Sequence, residues 1–417
     1  MSQAELQGRG SANSAPQNHY ISVIVMRYKG FKMMQNTNLS SVCRPVSEAN
    51  GLPNEHYIDH NIYDEEKHAL LFSKWAGLAV GADVPDHGDA VPITFLGMPL
   101  LLIRDRSNQI RVFQNTCRHR GMILVETPQK IEGAIRCPYH SWCYATDGRL
   151  VSTPHVGGPG HNTHKDIDRS TLGLIEIRSH IWRDVVWVNI DGKAPPFEQA
   201  MQDVIQRWSE FDQPAYHGGT DSRFELKLKC NWKLAVENFC ESYHLPWIHP
   251  GLNSYSRLED HYNIENYGYY SGQGTLVYRQ IEGENGVRFP DFSGLSDKWQ
   301  TSAEYISVYP NVLLGVQRDH TFTILLIPDG PENTVEKIHL YYPSNTTDAA
   351  LRAKNTEQWK GVFKEDIFVV EGMQRGRHGA QFDGGRFSPV MDSPTHCFHD
   401  WTAKNVQAHR AASQKSG

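Results

Sequence analysis

Two short segments each pair one cysteine with one histidine, and they limit what the surrounding chain can form. One residue separates Cys117 from His119, two separate Cys137 from His140, and 17 residues lie between the pairs. Two thiolates and two imidazoles can bind either Zn²⁺ or a Rieske [2Fe–2S] cluster. Zinc fingers usually pair cysteine with cysteine, whereas a Rieske centre gives both cysteines to one iron and both histidines to the other. The mixed pairs therefore favour the cluster over zinc.

The chain around these pairs predicts short strands. Brief apolar runs alternate with Gly, Asp and Pro turns between residues 76 and 192. The predicted strands are 90–95, 98–104, 111–114, 134–136 and 185–190. Strands this short and closely spaced are typical of a small all-β module. A helical pattern over 54–75 leads into it.

Residues 231–250 contain a second group of metal-binding side chains. His244 and His249 follow a carboxylate, Glu241. Two imidazoles and one carboxylate on one face of a metal are the ligands of non-haem Fe(II) oxygenases. This segment therefore predicts a mononuclear iron site.

The spacing within this segment also predicts its local structure. A helix is expected over 232–244, with Asn238, Glu241 and His244 on one face. Pro246 is expected to end that helix. The redirected chain would then let the second histidine converge with the first on one ion.

The second half of the chain predicts an antiparallel sheet flanked by helices, which is an α+β arrangement. Helical patterns cover 195–212 and 349–375. The predicted strands are 222–230, 303–309, 312–316, 321–327 and 335–342.

Composition excludes other classes of function. The formal net charge of -6 gives no sign of a nucleic-acid-binding surface. No run of 18 apolar residues is present, so no membrane span is expected. The seven cysteines are an odd, sparse set, which indicates reduced thiols rather than a disulfide framework. We therefore expect a cytoplasmic protein.

Taken together, these motifs resemble the catalytic α subunit of Rieske non-haem iron oxygenases. The resemblance runs from about residue 55 to the C-terminus. It rests on Cys117-x-His119, Cys137-x-x-His140 and Asn238-x-x-Glu241-x-x-His244 followed by His249. It implies that the two cysteines and two histidines of the first motifs hold a Rieske [2Fe–2S] cluster.

The resemblance also implies a ligand set for a mononuclear Fe(II). His244 and His249 would bind the iron together with a later aspartate. Asp366 is the candidate, because its segment resembles the acidic helix of the family. Glu365 and Glu371 are neighbouring competitors for this role.

Glu241 receives a different role from the resemblance. Family members commonly carry aspartate there, where it links a cluster histidine of one subunit to an iron histidine of the next. His140 and His244 would be the two histidines, and the link requires a ring of subunits, typically a homotrimer. We predict that Glu241 and Asn238 are catalytic residues.

Ring-hydroxylating dioxygenases commonly have aspartate at the position of Glu241, so the glutamate distinguishes this chain from them. In this residue the chain resembles the branch of the family that oxidises quaternary ammonium compounds, namely choline, carnitine, glycine betaine and stachydrine. The segments 305–315 and 398–401 also look like that branch. A trimethylammonium group has no N–H to donate in a hydrogen bond, so it needs an aromatic cage and cation–π attraction. The sequence offers many tyrosines and assigns none of them to a cage.

The resemblance implies a monooxygenase that uses O₂ and NAD(P)H for N-demethylation or hydroxylation of a small quaternary ammonium compound such as glycine betaine. The chain contains no G-x-G-x-x-G dinucleotide fingerprint. Electrons are therefore expected from a separate flavin/iron–sulfur reductase. One alternative is hydroxylation or O-demethylation of an aromatic acid by the same metals. The non-enzyme alternative is a Rieske electron carrier or a zinc-stabilised binding protein.

We therefore predict an α+β protein in three segments. Residues 1–53 form an N-terminal extension that is partly disordered. Residues 54–185 form an all-β Rieske [2Fe–2S] domain with a leading helix. Residues 186–417 form the mononuclear iron domain, an antiparallel sheet flanked by helices.

Overall fold

The computed structural model describes residues 38–416. Most of the predicted N-terminal extension lies outside the described residues. Its last part, from Leu39, packs Leu39, Val42 and Leu52 into the core with no solvent exposure. Within residues 38–416, no helix is both long and apolar enough to cross a membrane.

The first half of the described chain consists of short helices followed by short strands. The helices are α1 (Glu55–Ile58), α2 (His60–Glu66) and a π-helix (Lys67–Phe72). The strands are β1 (Ala76–Val80), β2 (Asp89–Phe95), β3 (Met98–Arg104), β4 (Ile110–Gln114), β5 (Gln129–Lys130), β6 (Ile135–Arg136), β7 (Cys143–Tyr144), β8 (Leu150–Ser152), β9 (Arg178–Trp182) and β10 (Val185–Asn189).

These strands form three small antiparallel sheets, in the orders β4-β3-β2-β5, β6-β7-β8 and β1-β10-β9. β2 and β3 are joined by Leu96 and Gly97, both with positive φ, 52° and 87°. Such a two-residue turn matches the right-handed twist of the paired strands. β10 begins at the predicted boundary between residues 185 and 186, and its partners in the sheet precede it in the chain.

The second half contains a larger antiparallel sheet and the longest helices. The helices are α3 (Phe197–Ala200), α4 (Gln202–Arg207), α5 (Trp232–Cys240), α6 (Leu245–Ile248), α7 (Pro250–Asn253), α8 (Ala349–Glu365), α9 (Ile367–Gly376) and α10 (Ser393–Ser416). The strands are β11 (Tyr216–His217), β12 (Arg223–Leu228), β13 (His261–Ile264), β14 (Tyr270–Thr275), β15 (Ala303–Val308), β16 (Val312–Val316), β17 (Thr321–Pro328) and β18 (Thr334–Tyr342).

The large sheet has the order β11-β18-β17-β16-β15-β14-β13, with β12 also paired to β18. Helix α5 packs against β14, β15 and β17 of this sheet and against α9 and α10. The predicted α+β class is confirmed. The sequence did not predict β13, β14 or the long C-terminal helix α10.

The helix predicted over 232–244 was too long. It begins where Asn231 caps it, with the Asn231 side chain accepting a hydrogen bond from the backbone N–H of Lys233 at 3.1 Å. It ends at Cys240, and Glu241 is already extended, with φ -126° and ψ 162°. Pro246 does not stop this helix. It lies in the first turn of α6, where its missing N–H costs no hydrogen bond.

Buried ionic groups hold α5 in place. The Lys233 ammonium lies 2.6 Å from Glu66, which also lies 2.8 Å from His56, and all three side chains are buried. One turn further along the helix, Glu237 lies 3.1 Å from Nε2 of His399 on α10. Charges this deeply buried require partners. These pairs therefore connect α5, the helix that precedes His244 and His249, to both the N-terminal and the C-terminal parts of the described chain.

Candidate metal centres and active-site cavity

Two loops with the same backbone pattern carry the Cys/His pairs. In the first, the N–H of Gly121 donates to the carbonyl of Cys117 at 2.9 Å, and in the second the N–H of Ser141 donates to that of Cys137 at 3.0 Å. Gly121 and Ser141 both have positive φ, 74° and 57°. This conformation favours glycine, and here it reverses the chain immediately beyond each pair.

The structure brings the residues of the two loops together. The Cys137 thiol lies within hydrogen-bonding reach of Cys117, and both cysteines are buried. The imidazole centroids of His119 and His140 are 4.7 Å apart, and both histidines are exposed. His119 stacks on Trp142 at 4.8 Å with an angle of 13° between the rings. Thiols inside and imidazoles at the surface fit a cluster whose two irons have different ligands.

Tyr144 adds a hydrogen bond to this site. Its hydroxyl oxygen lies 3.2 Å from the sulfur of Cys117 and accepts the N–H of Arg118 at 3.0 Å. Because the oxygen already accepts that bond, its own proton is available to the sulfur. Burial raises the pKa of the Tyr144 phenol, so the proton stays in place. Hydrogen bonds to cysteine sulfurs help set the potential of iron–sulfur clusters.

His244, His249 and Asp366 converge in space. Oδ1 of Asp366 lies 3.1 Å from Nε2 of His249 and 3.7 Å from Nε2 of His244. The three possible ligand atoms lie within 4.8 Å of one another. His244 and His249 come from the ends of α6, while Asp366 occupies the junction between α8 and α9. The helical pattern over 349–375 is therefore two helices with this carboxylate at the break.

The arrangement fits a divalent cation. Oδ1 of Asp366 is buried and has no hydrogen-bond partner in the described chain, and an orphaned buried carboxylate oxygen is costly. Two imidazoles and one carboxylate are the donor set of non-haem Fe(II) sites. Glu371 lies elsewhere, accepting a hydrogen bond from the backbone N–H of Lys229 at 3.0 Å.

Each of the two histidines has a second carboxylate on its other nitrogen. Oε1 of Glu241 lies 2.6 Å from Nδ1 of His244, and Oε2 of Glu365 lies 2.7 Å from Nδ1 of His249. A carboxylate that accepts Nδ1–H fixes the tautomer in which Nε2 carries the lone pair for a metal. Glu365 is thus placed to orient His249, a role that sequence reasoning missed when it treated Glu365 as a rival ligand.

The electrostatic field around His249 is strongly negative. Burial lowers the pKa of this imidazole, but Asp366 and Glu365 outweigh burial and raise it above its ordinary value. Two carboxylates therefore face one buried ring from opposite sides. A cation held between the Nε2 atoms and Asp366 would balance this charge.

A cavity of about 890 Å³, counted to its open mouth, adjoins the three converging residues. His244, His249 and Asp366 line it together with Asn238. Aromatic side chains form much of the remaining wall: Phe239, Tyr255, Tyr278, Tyr305, Phe322, Trp359 and Phe363.

Three of the many tyrosines in the sequence line the cavity: Tyr255, Tyr278 and Tyr305. Burial raises the pKa of the Tyr278 and Tyr305 phenols, so both remain neutral. Other tyrosines lie elsewhere; the Tyr262 hydroxyl, for example, donates to Glu304 at 2.8 Å. Much of the cavity wall is therefore aromatic and neutral.

Two protein families match this chain. Residues 74–165 match the family described as the Rieske [2Fe-2S] domain, and residues 205–408 match the ring hydroxylating alpha subunit (catalytic domain). The first match contains both Cys/His loops. The second contains the three residues that converge beside the cavity.

Individual proteins are similar over most of their length. The carnitine monooxygenase oxygenase subunit of Escherichia coli (strain K12) is 25% identical over 349 residues, 82% of this chain and 88% of that protein. The chloroplastic choline monooxygenase of Arabidopsis thaliana is 26% identical over 370 residues, 85% and 82% of the two chains. The crystal structure of the quaternary ammonium Rieske monooxygenase CntA in complex with L-carnitine has the same fold, with a TM-score of 0.70, 21% identity and coverage of 88% and 99%.

The two family matches together span well over half of the chain, and both metal motifs lie within them. The chain therefore belongs to the Rieske non-haem iron monooxygenases, enzymes with a Rieske [2Fe–2S] cluster and a mononuclear iron. The family predicted from the sequence is confirmed. Enzymes of this family act on a small-molecule substrate with O₂ and electrons from a reductase.

Proposed function

We propose that this protein is the oxygenase component of a system that oxidises a small quaternary ammonium compound by N-demethylation or hydroxylation. The observation that carries the proposal is the aromatic wall of the cavity beside His244, His249 and Asp366. Aromatic faces attract quaternary ammonium groups that cannot be hydrogen-bonded. The names of the carnitine and choline monooxygenases support the same substrate class.

The chain's own residues would divide between the two metal groups. Cys117, His119, Cys137 and His140 would hold the [2Fe–2S] cluster. The three converging residues beside the cavity would hold Fe(II). When bound, these groups supply the redox chemistry, electron transfer from the cluster and reaction with O₂ at the iron.

Glu241 would connect the two sites between neighbouring copies of the chain. Its side chain holds Nδ1 of His244 and also lies near the surface. Trp247, 69% exposed, lies on the same segment, while His140 packs against Tyr139, which is 55% exposed. Exposed aromatic rings of this kind are enriched at protein interfaces. We propose that His140 of one copy approaches Glu241 of the next, in a closed homotrimer.

Asn238 would act within the cavity. It lies in the last turn of α5 and borders both the main cavity and a smaller one behind Asp366. Its side-chain amide forms no hydrogen bond with another described residue, so this group is available to substrate or water beside the metal. We propose that Asn238 positions one of these.

The overall reaction balances with one molecule of O₂. One oxygen atom enters an N-methyl C–H bond, and the other leaves as water after taking two electrons and two protons. The resulting N-hydroxymethyl ammonium breaks its C–N bond and releases formaldehyde and a proton. The product is a tertiary amine that keeps two N-methyl groups. The two electrons would come from NAD(P)H through a separate flavin/iron–sulfur reductase.

Turnover by the reconstituted protein tests this proposal. Purified protein, a Rieske-compatible reductase and NADH are incubated separately with glycine betaine, carnitine, choline and a benzoate-type acid. We expect oxidation of a quaternary compound, measured as formaldehyde or as hydroxylated product. Oxidation of the aromatic acid alone would replace the proposal with the alternative substrate class. An electron carrier would oxidise none of these compounds and would hold only the two irons of its cluster. The proposed oxygenase should instead contain about three iron atoms per chain.

A further inference from the structure

The backbone carbonyl of Glu241 has one hydrogen-bond donor in the described chain, and it is a side chain. Helix α5 ends at Cys240, and no backbone N–H of residues 38–416 donates to this oxygen. The amide of Gln273, on β14, donates to it from Nε2 at 3.3 Å. Gln273 therefore anchors the backbone at the residue whose carboxylate lies 2.6 Å from Nδ1 of His244.

A second contact defines the orientation of the Gln273 amide. Its Oε1 lies 2.6 Å from Nδ1 of His261 on β13. A backbone carbonyl can only accept, so the NH₂ group of Gln273 faces Glu241 and Oε1 faces the imidazole. Nδ1 of His261 therefore carries a proton and donates it to Gln273. The register of the two strands brings these side chains together, because His261 lies opposite Thr275, on the same face of β14 as Gln273.

The hydrogen bonds continue beyond His261 to two buried hydroxyl groups. Burial lowers the pKa of this imidazole, so the ring is neutral and Nε2 is an acceptor. The Ser256 hydroxyl lies 3.0 Å from Nε2 and donates to it. Its oxygen then accepts the hydroxyl proton of Thr275 at 2.7 Å. Each hydrogen bond in this series thus has one direction, and the series ends at the carbonyl of Glu241.

These four side chains line the same cavity as the three proposed iron ligands. His261 is nevertheless not part of the group of possible metal ligands that converges there. Both of its ring nitrogens are occupied by the hydrogen bonds to Gln273 and Ser256. The imidazole therefore serves the hydrogen-bond series rather than a metal.

We propose that Gln273 and His261 are positioning residues that hold the backbone of Glu241. They keep its carboxylate on Nδ1 of His244, which fixes the direction in which Nε2 of that ring points. The same carboxylate accepts the backbone N–H groups of Tyr243 and His244, so a displaced Glu241 would also loosen the turn that follows α5. This inference rests on the proposed role of Glu241 between the two metal sites.

Hydrogen exchange in the metal-depleted protein tests the positioning role without turnover. In Gln273→Leu, the amides of Tyr243 and His244 should exchange about 3- to 10-fold faster, the factor expected for the loss of one hydrogen bond. The amides of α5 should keep their wild-type rates, which shows that the variant is folded. Gln358→Leu is the matched control, because Gln358 also lines the cavity but forms no hydrogen bond with another described residue. Unchanged exchange of both amides in Gln273→Leu overturns the proposal.

Steady-state kinetics with the mononuclear site saturated with iron separate positioning from substrate binding. In Gln273→Leu we expect kcat to fall about 10-fold and KM to change by less than about 3-fold. His261→Leu should behave alike, whereas His261→Asn, whose amide can donate to Gln273 as Nδ1 does, should recover part of kcat. An increase in KM with unchanged kcat would mean that Gln273 contacts the substrate, and overturns the proposal. Wild-type turnover in Glu241→Ala would instead remove the role of Glu241 itself, whatever the exchange rates show.

Discussion

Oε2 of Glu365 lies 2.7 Å from Nδ1 of His249, while Oδ1 of the adjacent Asp366 lies 3.1 Å from Nε2 of the same ring. Two consecutive residues thus hold opposite ends of one imidazole. Glu365 ends α8, and Asp366 lies between α8 and α9. One junction therefore supplies both a candidate metal ligand and the group that orients another.

Removing Glu365 is expected to weaken iron binding. In Glu365→Ala, the His249 ring loses the acceptor that fixes its tautomer, and metal affinity should fall about 10- to 100-fold. Iron titration of the metal-depleted protein measures this change, and the EPR signal of the cluster should persist. Glu371→Ala serves as the control, because Glu371 lies on α9 and accepts a hydrogen bond from the backbone N–H of Lys229. Iron affinity equal to wild type in Glu365→Ala would exclude the orienting role.

Glu241→Ala is expected to uncouple the two metal sites. The cluster should be retained, but iron should bind about 10- to 100-fold more weakly because His244 loses the acceptor that fixes its tautomer. Turnover is therefore measured with the mononuclear site saturated with iron. Under that condition substrate-coupled turnover should still fall by at least about 100-fold, because the connection between subunits is lost. Iron content, EPR and steady-state oxidation distinguish these effects. Sedimentation should show a trimer in both proteins. Wild-type turnover by the variant would remove the bridging role.

Tyr144→Phe is expected to lower the potential of the cluster. The change removes one hydrogen bond to the sulfur of Cys117, and a sulfur without that donor favours the oxidised state. One bond of about 1 kcal/mol corresponds to a decrease on the order of tens of millivolts. Protein-film voltammetry measures this shift. Tyr139→Phe removes a hydroxyl that accepts from Arg120 at 3.4 Å rather than one that bonds a cysteine sulfur, so it should leave the potential almost unchanged.

Breaking the buried pair of Lys233 and Glu66 is expected to destabilise the fold. The two charges lie 2.6 Å apart and are fully buried. Lys233→Ala leaves Glu66 without its ammonium partner, and a loss of about 3–5 kcal/mol in unfolding free energy is expected. Chemical denaturation measures it. The double variant Lys233→Met, Glu66→Leu should recover much of the loss, and failure to do so would show that packing rather than charge dominates.

Acid should destabilise the protein through Glu66 and Glu237. Burial alone would raise the pKa of each carboxyl, but Lys233 lowers that of Glu66 and His399 lowers that of Glu237, so both lie below 4.5. A depressed folded pKa stabilises the protein above the unfolded pKa, and this contribution is lost as pH falls through the folded value. We expect the Tm to drop steeply below about pH 4.5. In Glu66→Gln, the Tm should fall less steeply over the same pH range.

Local sequence patterns predicted several of the strands. The strands over 98–104 and 312–316 coincide with β3 and β16, because apolar runs between turn residues define them. The end of α5 was wrong for a local reason. Glu241 caps the following turn, accepting the N–H of His244 at 3.3 Å, so the helix stops before the residues that periodicity would have added.

Contacts between residues far apart in the chain could not be predicted from the sequence. Trp359 meets His320 only because α8 packs over the sheet, 39 residues away in the chain. The role of Glu365 had a weak signal, its adjacency to Asp366, but spacing alone cannot tell an orienting carboxylate from a ligating one. The hydrogen bond from Gln273 to the carbonyl of Glu241 likewise becomes visible only in three dimensions.

The junction that carries Asp366 has a consequence for chain topology. If one iron ion binds both His249 and Asp366, it closes a loop of the chain between these two residues. This loop contains most of the large sheet and all of α8. A long closed loop reduces the conformational freedom of the unfolded chain, and ligation that exists only in the folded state adds to folding stability. Iron would thus act as a reversible cross-link, and the amides around α8 and α9 should exchange hydrogen faster in the metal-depleted protein.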